Sequence, residues 1–200
     1  MEIESKLNDL GYQLPPVRRS AVGTFIPAVR TGNLVFLSSH GPRLPAGGFL
    51  HLGKLGADLT IEQGYDCARQ VMLNLLASLK EEVGDLDKVR RIVKLLCMVN
   101  SAPDFGGTPK VANGASDLLV KLYGEAGQHA RSAVGMATLP SGMPVEIEMV
   151  VKSRISWPRG AHRGALWQVS RHCNRPGGHT AQTQLFRTEE LASCRCHRTE

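Results

Sequence analysis

The sequence predicts an α+β fold in which two helices cover one face of a mixed β-sheet. Two observations predict it: two apolar stripes have helical spacing, and between and around them lie short segments rich in β-branched residues. Their order along the chain is hairpin, helix, strand, helix, hairpin. Two helices leave the second face of the sheet uncovered, so we expect a symmetric homo-oligomer that packs sheet on sheet.

The first quarter of the chain predicts one short helix and one hairpin. Residues 2–10 form an amphipathic stretch that Gly11 ends. Residues 25–39 contain two β-rich runs on either side of a Thr-Gly-Asn turn, which is typical of a β-hairpin. Residues 41–56 are rich in Gly and Pro and predict a loop with a short strand.

The strongest helix signal follows this loop. Either Asp58 or Thr60 can cap its start, and Gly84 suits its end. One apolar stripe runs along it at spacings of three and four residues: Ile61, Tyr65, Ala68, Met72, Leu75, Leu79 and Val83. The segment therefore predicts a long helix that packs on the sheet.

The next segments predict a central strand and the second helix. Residues 88–99 are apolar and β-branched, which indicates a strand covered on both faces. A loop over 100–111 leads to a helix from Asn113 to Gly124, with Ser116 as an alternative cap.

Two strands, 132–138 and 144–152, are expected to form a hairpin around the Leu-Pro-Ser-Gly sequence at 139–142. Strand alternation puts Glu146 and Glu148 on one face of the second strand and its apolar residues on the other. An unpaired buried carboxylate is unfavourable, so each acid must meet water, a cation or hydrogen-bond donors.

Two interpretations of these acids are open. Glu146 and Glu148 can be the solvent-facing side of an edge hairpin, with Arg131 exposed at the start of the preceding strand. Alternatively, Arg131 binds a carboxylate through its fork of N–H groups, and a partly desolvated glutamate transfers protons. The second interpretation predicts a site for a small carboxylic acid whose neighbouring carbon reacts with water.

Charge divides the chain into a predicted domain at 1–153 and a basic tail at 154–200. The domain holds 16 Lys and Arg against 15 Asp and Glu, whereas the tail holds eight Arg, no Lys and three Glu. The near-neutral domain argues against specific nucleic-acid binding, although the whole chain carries a net charge of +6. We expect the tail to be disordered.

The five cysteines predict neither a disulfide framework nor a metal site. Cys67 and Cys97 lie in apolar segments and should be buried. The tail contains the sequences HC and CRCH but no C-x2-C spacing, so zinc is not expected. No run of 18 apolar residues predicts a membrane span, and with no recognisable signal sequence we expect a cytoplasmic protein.

Several segments together resemble the YjgF/RidA family, also called the L-PSP endoribonuclease family. They are GTFIPAVRTGNLVFLSSHGP at 23–42, NSAPDF at 100–105, VANGASDLL at 111–119, RS at 131–132, LP at 139–140 and VEIE at 145–148. The resemblance spans roughly residues 15–152. It implies a chorismate mutase-like fold and a homotrimer with sites in clefts between subunits, with no cofactor.

The resemblance also implies a reaction, the hydrolysis of reactive 2-imino or enamine acids to 2-oxo acids and ammonia. Arg131 matches the residue that clamps the substrate carboxylate. Glu146 matches the acid that positions and activates water, whereas Glu148 matches no catalytic position.

Other residues match the surroundings of the family's site. Ser38 and Ser39 would offer a backbone N–H and a hydroxyl to the ligand, Phe25 would line the pocket, and Asn113 would lie near its rim. The family often has Tyr at the position of Phe25, Gly at that of Ser39 and Cys at that of Ala133, so the substrate and the activity itself stay open.

Three functions are therefore in competition: a deaminase, a trimer that binds a small carboxylate-bearing metabolite without turnover, and a ribonuclease. The last is disfavoured by the near-neutral domain, which lacks a basic stripe. His40, next to the two serines, is either a proton-transfer group or a loop residue with local hydrogen bonds.

Overall fold

Five strands form one mixed sheet in the order β1-β2-β5-β3-β4. They were located in a computed structural model that describes residues 2–17 and 24–154. The strands are β1 (Ala28–Thr31), β2 (Leu34–His40), β3 (Val89–Asn100), β4 (Ala130–Met136) and β5 (Val145–Ser153), and the helices are α1 (Glu2–Asp9), α2 (Ile61–Val83) and α3 (Thr108–Tyr123). The expected α+β class is confirmed, whereas the prediction for the tail lies outside the described residues.

Helix α2 begins and ends where its local sequence indicates. The Thr60 hydroxyl accepts a hydrogen bond from the Gln63 N–H at 3.3 Å, and the Gln63 side chain accepts one from the Thr60 N–H at 2.9 Å. This reciprocal pair is a capping box, which selects Thr60 over Asp58 as the cap. Gly84 ends the helix with a left-handed backbone at φ 79°.

Helix α3 begins five residues earlier than predicted, at Thr108 rather than Asn113. Its cap is Gly107, which offers no side-chain hydrogen bond, and Pro109 occupies the first turn. Without a capping side chain in the sequence, the start was placed too late. Ser116 is consequently not a cap and lies in the middle of the helix.

The predicted hairpin between the last two strands is wrong. Strand β4 pairs in parallel with β3, and β5 lies antiparallel between β2 and β3. The connection at 137–144 therefore crosses the end of β3. This arrangement pairs β5 with neighbours on both sides and leaves β4 at the sheet edge.

Helices α2 and α3 bury one face of the sheet, and the opposite face, here called the open face, is not covered by any of residues 2–17 and 24–154. Its partly or largely exposed apolar side chains are Val29, Phe36, Val93, Leu96, Met98, Val134 and Val150. A shallow depression of about 250 Å³ lies on it, with Phe36, Leu96 and Glu148 in its lining. The prediction that β3 is covered on both faces therefore does not hold among the residues that the structure describes.

No helix within residues 2–17 and 24–154 has the length and apolarity needed to cross a bilayer. The 23-residue α2 is long enough, but it carries charged side chains.

Gly114 lets α2 and α3 touch at backbone distance. A Cβ at this position would lie 2.0 Å from the Tyr65 carbonyl oxygen. We therefore expect Gly114→Ala to lower the free energy of unfolding by about 1–3 kcal/mol or more, despite the better helix propensity of alanine. Urea denaturation measures this change.

The control is Gly106→Ala, because a Cβ at Gly106 meets no atom within 4 Å. Equal stability of the two variants would show that the helices can separate at this contact without loss.

Candidate functional site

A β-bulge shapes the end of β2. Residues 38–39 lie opposite the single residue 148 of β5. An extra residue reverses the alternation of side chains beyond it. As a result, Ser39 faces Glu146 on the open face, and His40 is directed toward α2.

Glu146 is held by this bulge. The Ser39 hydroxyl donates a hydrogen bond of 2.8 Å to Glu146 Oε1. Glu146 is half-buried and pairs with Met98 of β3, while Glu148 is exposed two residues further along the same face. The predicted alternation of β5 is thus confirmed, and one carboxylate oxygen of Glu146 stays outside the Ser39 contact.

Unlike the Ser39 hydroxyl, the Ser38 hydroxyl does not bind Glu146. Its hydroxyl donates to the Ile26 carbonyl at 2.7 Å, and its N–H donates to the Pro27 carbonyl at 2.9 Å. Both donors therefore hold the chain that precedes β1. Phe25 begins that segment and is 58% exposed in the single chain.

Arg131 lies on edge strand β4 and turns toward α3. Its Nη1 donates to Asn113 Oδ1 and to Ser116 Oγ, each at 2.9 Å, and its Nη2 donates to the Pro109 carbonyl at 3.3 Å. The structure thus brings together two of the predicted site residues, Arg131 and Asn113.

These three bonds leave part of the Arg131 guanidinium open. A guanidinium has five N–H donors, of which the two on Nη1 and one on Nη2 are used within the described residues. The two that remain are the Nε–H and the second Nη2–H. Such a pair matches the two oxygens of a carboxylate.

Arg131 and Glu146 do not meet within one chain. Arg131 pairs with Leu95, whose side chain is buried under the helices, whereas Glu146 pairs with a residue of the open face. Two strand spacings and a three-residue offset separate their Cα atoms by roughly 14 Å. A site that uses both side chains therefore needs a second copy of the chain.

Comparison with known proteins identifies the family of this chain. The family model described as "YjgF/chorismate mutase-like, putative endoribonuclease" matches residues 4–151. The chain belongs to the YjgF/chorismate mutase-like family. This confirms the resemblance found in the sequence.

Three relatives show how far the similarity extends. Protein TCP17 of Trypanosoma cruzi is 40% identical over 151 residues, which are 75% of this chain and 93% of that protein. A crystal structure of a protein of unknown function from Agrobacterium tumefaciens is 37% identical, with a TM-score of 0.71 over 77% of this chain and 93% of that one. A "putative endoribonuclease" from Shewanella oneidensis is 33% identical, with a TM-score of 0.72 over 76% and 99%.

In this YjgF-family chain, His40 is partly buried and links β2 to α2 by hydrogen bonds. Its Nδ1 lies 2.7 Å from the Ser38 carbonyl and its Nε2 lies 2.7 Å from Ser78 Oγ. A carbonyl only accepts, so Nδ1 carries the proton and Nε2 accepts from the Ser78 hydroxyl. The structure favours local hydrogen bonding over a proton-transfer role on the open face.

Burial lowers the pKa of His40, against the opposing effects of the Ser38 and Ser39 backbone and the charge of Glu146. The unfolded chain therefore binds a proton more readily than the folded chain does. The stabilising contribution of neutral His40 is complete above its ordinary pKa of 6.5 and is lost as the pH falls through the lower, folded value.

We expect the wild type to lose more free energy of unfolding than His40→Gln between about pH 7.5 and about pH 5.5. Urea midpoints at the two pH values measure the difference for each protein. His129 also has a pKa lowered by burial, so the variant should keep a smaller slope. Equal losses would show that His40 is protonated as easily in the folded chain as in the unfolded one.

His129 and Ser116 belong to the Arg131 cluster but were missed as site residues in the sequence. His129 Nδ1 lies 2.6 Å from the Gly127 carbonyl, and its Nε2 lies 3.1 Å from Ser116 Oγ. Burial and the charge of Arg131 lower the pKa of His129, although the Gly127 carbonyl opposes them. The available signal was its position two residues before Arg131 in the sequence.

The two cysteines of the described region are inert. Cys67 and Cys97 are buried, as predicted, and burial raises their pKa values to about 12 and about 11. Neither thiol ionises near neutral pH. Across residues 2–17 and 24–154, no three His, Cys, Asp or Glu side chains are grouped so as to hold a metal ion.

Proposed function

We propose that this YjgF-family protein hydrolyses 2-imino and enamine acids to 2-oxo acids and ammonia at sites shared between the subunits of a homotrimer. The observation that carries the proposal is the division of the site within one chain. Arg131 presents an open N–H pair beside the edge strand, and the Ser39–Glu146 pair lies on the other face of the sheet. The Arg131 half has no acid to activate water, and the Glu146 half has no arginine to bind a carboxylate.

The chemistry follows from the two halves. Arg131 holds the carboxylate, so that the adjacent C=N carbon lies beside a water molecule at Glu146. Glu146 takes a proton from this water as its oxygen attacks the carbon, which gives a tetrahedral amino alcohol. The C=N nitrogen is protonated at the start, so the proton held by Glu146 then passes to the amino nitrogen of this intermediate. Glu146 next takes the proton of the new hydroxyl as C=O forms and the C–N bond breaks, and ammonia, the 2-oxo acid and this proton leave. An enamine must first take up a proton on carbon to become the imine.

Ser39 supports this role of Glu146. Its hydroxyl holds Oε1, so the second oxygen is in a defined position to receive the proton from water. The described residues include only one left-handed residue other than glycine, Ser141, so the serine at 39 sits on an ordinary backbone. The replacement of the usual glycine by Ser39 therefore adds a hydroxyl without backbone strain.

The open face supports assembly. Its exposed apolar side chains include Phe36 at 43% and Val134 at 40% exposure. A contiguous apolar face of this kind is typical of an interface between subunits. The proposal includes a trimeric assembly, a small carboxylate ligand and a cytoplasmic location.

A second candidate is a trimer that binds a small carboxylate without turnover. Phe25 lacks the hydroxyl that the family often carries at this position, and the Ser39 hydroxyl does not replace it because it is engaged with Glu146. The pocket therefore has one polar group fewer for a substrate, whereas Arg131 keeps its open N–H pair. The ribonuclease suggested by the family description finds little support in a domain of 16 basic and 15 acidic residues.

The test is pyruvate release from 2-iminopropanoate generated in situ, with the oligomeric state measured on the same sample. Acceleration above buffer by a trimer supports the deaminase. Saturable pyruvate binding by a folded trimer without acceleration supports the binding protein. Absence of both effects would exclude both functions for this substrate.

A further inference from the structure

We propose that Ser116 and His129 are positioning residues that fix the Arg131 guanidinium and turn its Nε edge toward an incoming carboxylate. The identity of that ligand rests on the proposed function. The hydrogen bonding that holds the Arg131 guanidinium does not depend on it. The inference stands on a hydrogen-bonded chain from a backbone carbonyl to the guanidinium.

Burial lowers the pKa of His129 and favours the neutral ring, and with a neutral ring every group in this chain has one role. The Gly127 carbonyl can only accept, so His129 carries its proton on Nδ1. His129 Nε2 is then a lone pair and accepts from the Ser116 hydroxyl. The Ser116 oxygen in turn presents its lone pairs to Arg131 Nη1, which donates at 2.9 Å.

His129 is needed because a serine hydroxyl alone can rotate. Without an acceptor at His129 Nε2, the Ser116 proton could turn toward Arg131 or toward its own helix carbonyls. With that acceptor, the oxygen lone pairs stay available to the guanidinium. Ser116 and His129 are both partly buried, so water competes poorly for these bonds.

All three partners of Arg131 are uncharged: the Asn113 amide, the Ser116 hydroxyl and the Pro109 carbonyl. The residues described here give Arg131 no carboxylate partner. Within residues 2–17 and 24–154 its positive charge is therefore not neutralised by a carboxylate, and its unused N–H pair is held in place for an anion. This combination distinguishes a positioned ligand group from a structural ion pair.

The first experiment follows the Arg131 Nε–H signal by NMR in ¹⁵N-labelled full-length protein, with the signal assigned by its loss in Arg131→Lys. We expect a slowly exchanging, restricted Nε–H in the wild type and a mobile, fast-exchanging one in Ser116→Ala and His129→Leu. His129→Gln keeps an acceptor near the Nε2 position and should retain the wild-type signal. Ser132→Ala is the matched control, because that hydroxyl accepts from Lys94 and not from Arg131.

The second experiment measures ligand binding with pyruvate as the probe. The dissociation constant should rise about 5- to 20-fold in Ser116→Ala and His129→Leu, and less in His129→Gln. If iminopropanoate is turned over, KM should rise by a similar factor with kcat little changed, because binding is lost equally in the ground and transition states.

The two experiments separate the failure of this proposal from failure of the proposed function. If the wild type neither binds pyruvate nor releases it from iminopropanoate, the proposed ligand is wrong. The NMR experiment still tests whether Ser116 and His129 position Arg131. An unchanged Arg131 signal in Ser116→Ala, or a proton on His129 Nε2 instead of Nδ1, overturns the positioning role.

Discussion

Replacement of Glu146 by glutamine should lower kcat for iminopropanoate hydrolysis by about 10²–10⁴-fold and leave the affinity for pyruvate nearly unchanged. Glutamine has the shape of glutamate, and its amide oxygen can still accept the Ser39 hydroxyl at the position of Oε1. The amide cannot take a proton from water. The loss therefore falls on the transition state, where the proton moves, and not on the bound carboxylate.

Glu148→Gln is the matched control for this experiment. It makes the same chemical change on the same face of β5, two residues away and opposite Leu96. We expect its kcat to stay within about threefold of the wild type, because Glu148 matches no catalytic position and the Ser39 hydroxyl contacts Glu146 instead. Equal losses in the two variants would mean that the charge of the open face matters and that Glu146 has no specific role.

Mixed trimers of Arg131→Ala and Glu146→Gln should regain about one third of wild-type activity, although each variant alone keeps less than about 1%. If every site takes its arginine from one copy and its glutamate from the neighbour, a trimer that contains both variants has both groups at about one site in three. Co-expression with two affinity tags isolates the mixed trimers, and their pyruvate release is then measured.

The control mixes Arg131→Ala with the double variant Arg131→Ala/Glu146→Gln, which restores no arginine and should stay inactive. Inactive mixed trimers of the two single variants would place both groups in one chain. That result would contradict the single-chain geometry, in which Arg131 and Glu146 lie on opposite faces of the sheet, roughly 14 Å apart at Cα.

The sequence predicts those features of the structure that depend on residues only a few positions apart. Thr60 and Gly84 bound α2 because a capping box and a left-handed glycine act within a few residues. The two faces of β5 also follow from alternation alone, which is why Glu146 could be assigned to the polar side.

Long-range pairing could not be predicted in the same way. The Leu-Pro-Ser-Gly sequence at 139–142 has the composition of a hairpin turn, but its neighbours pair with β3 instead of with each other. The start of α3 was placed too late because Gly107 caps it without a side-chain signal. The partnership of Ser116 with His129 arises only when α3 packs against β4, and no spacing rule connects them.

The bulge at residues 38–39 makes one half of the site sensitive to chain length as well as to residue type. Deletion of one serine would restore regular alternation, with His40 still opposite Ile147 and still directed toward Ser78 of α2. A single serine would then remain opposite residue 148. The present two serines have separate tasks, since the Ser38 hydroxyl holds the Ile26 carbonyl and the Ser39 hydroxyl holds Glu146. The inserted residue thus lets two adjacent serines anchor the chain before β1 and orient the acid at the same time.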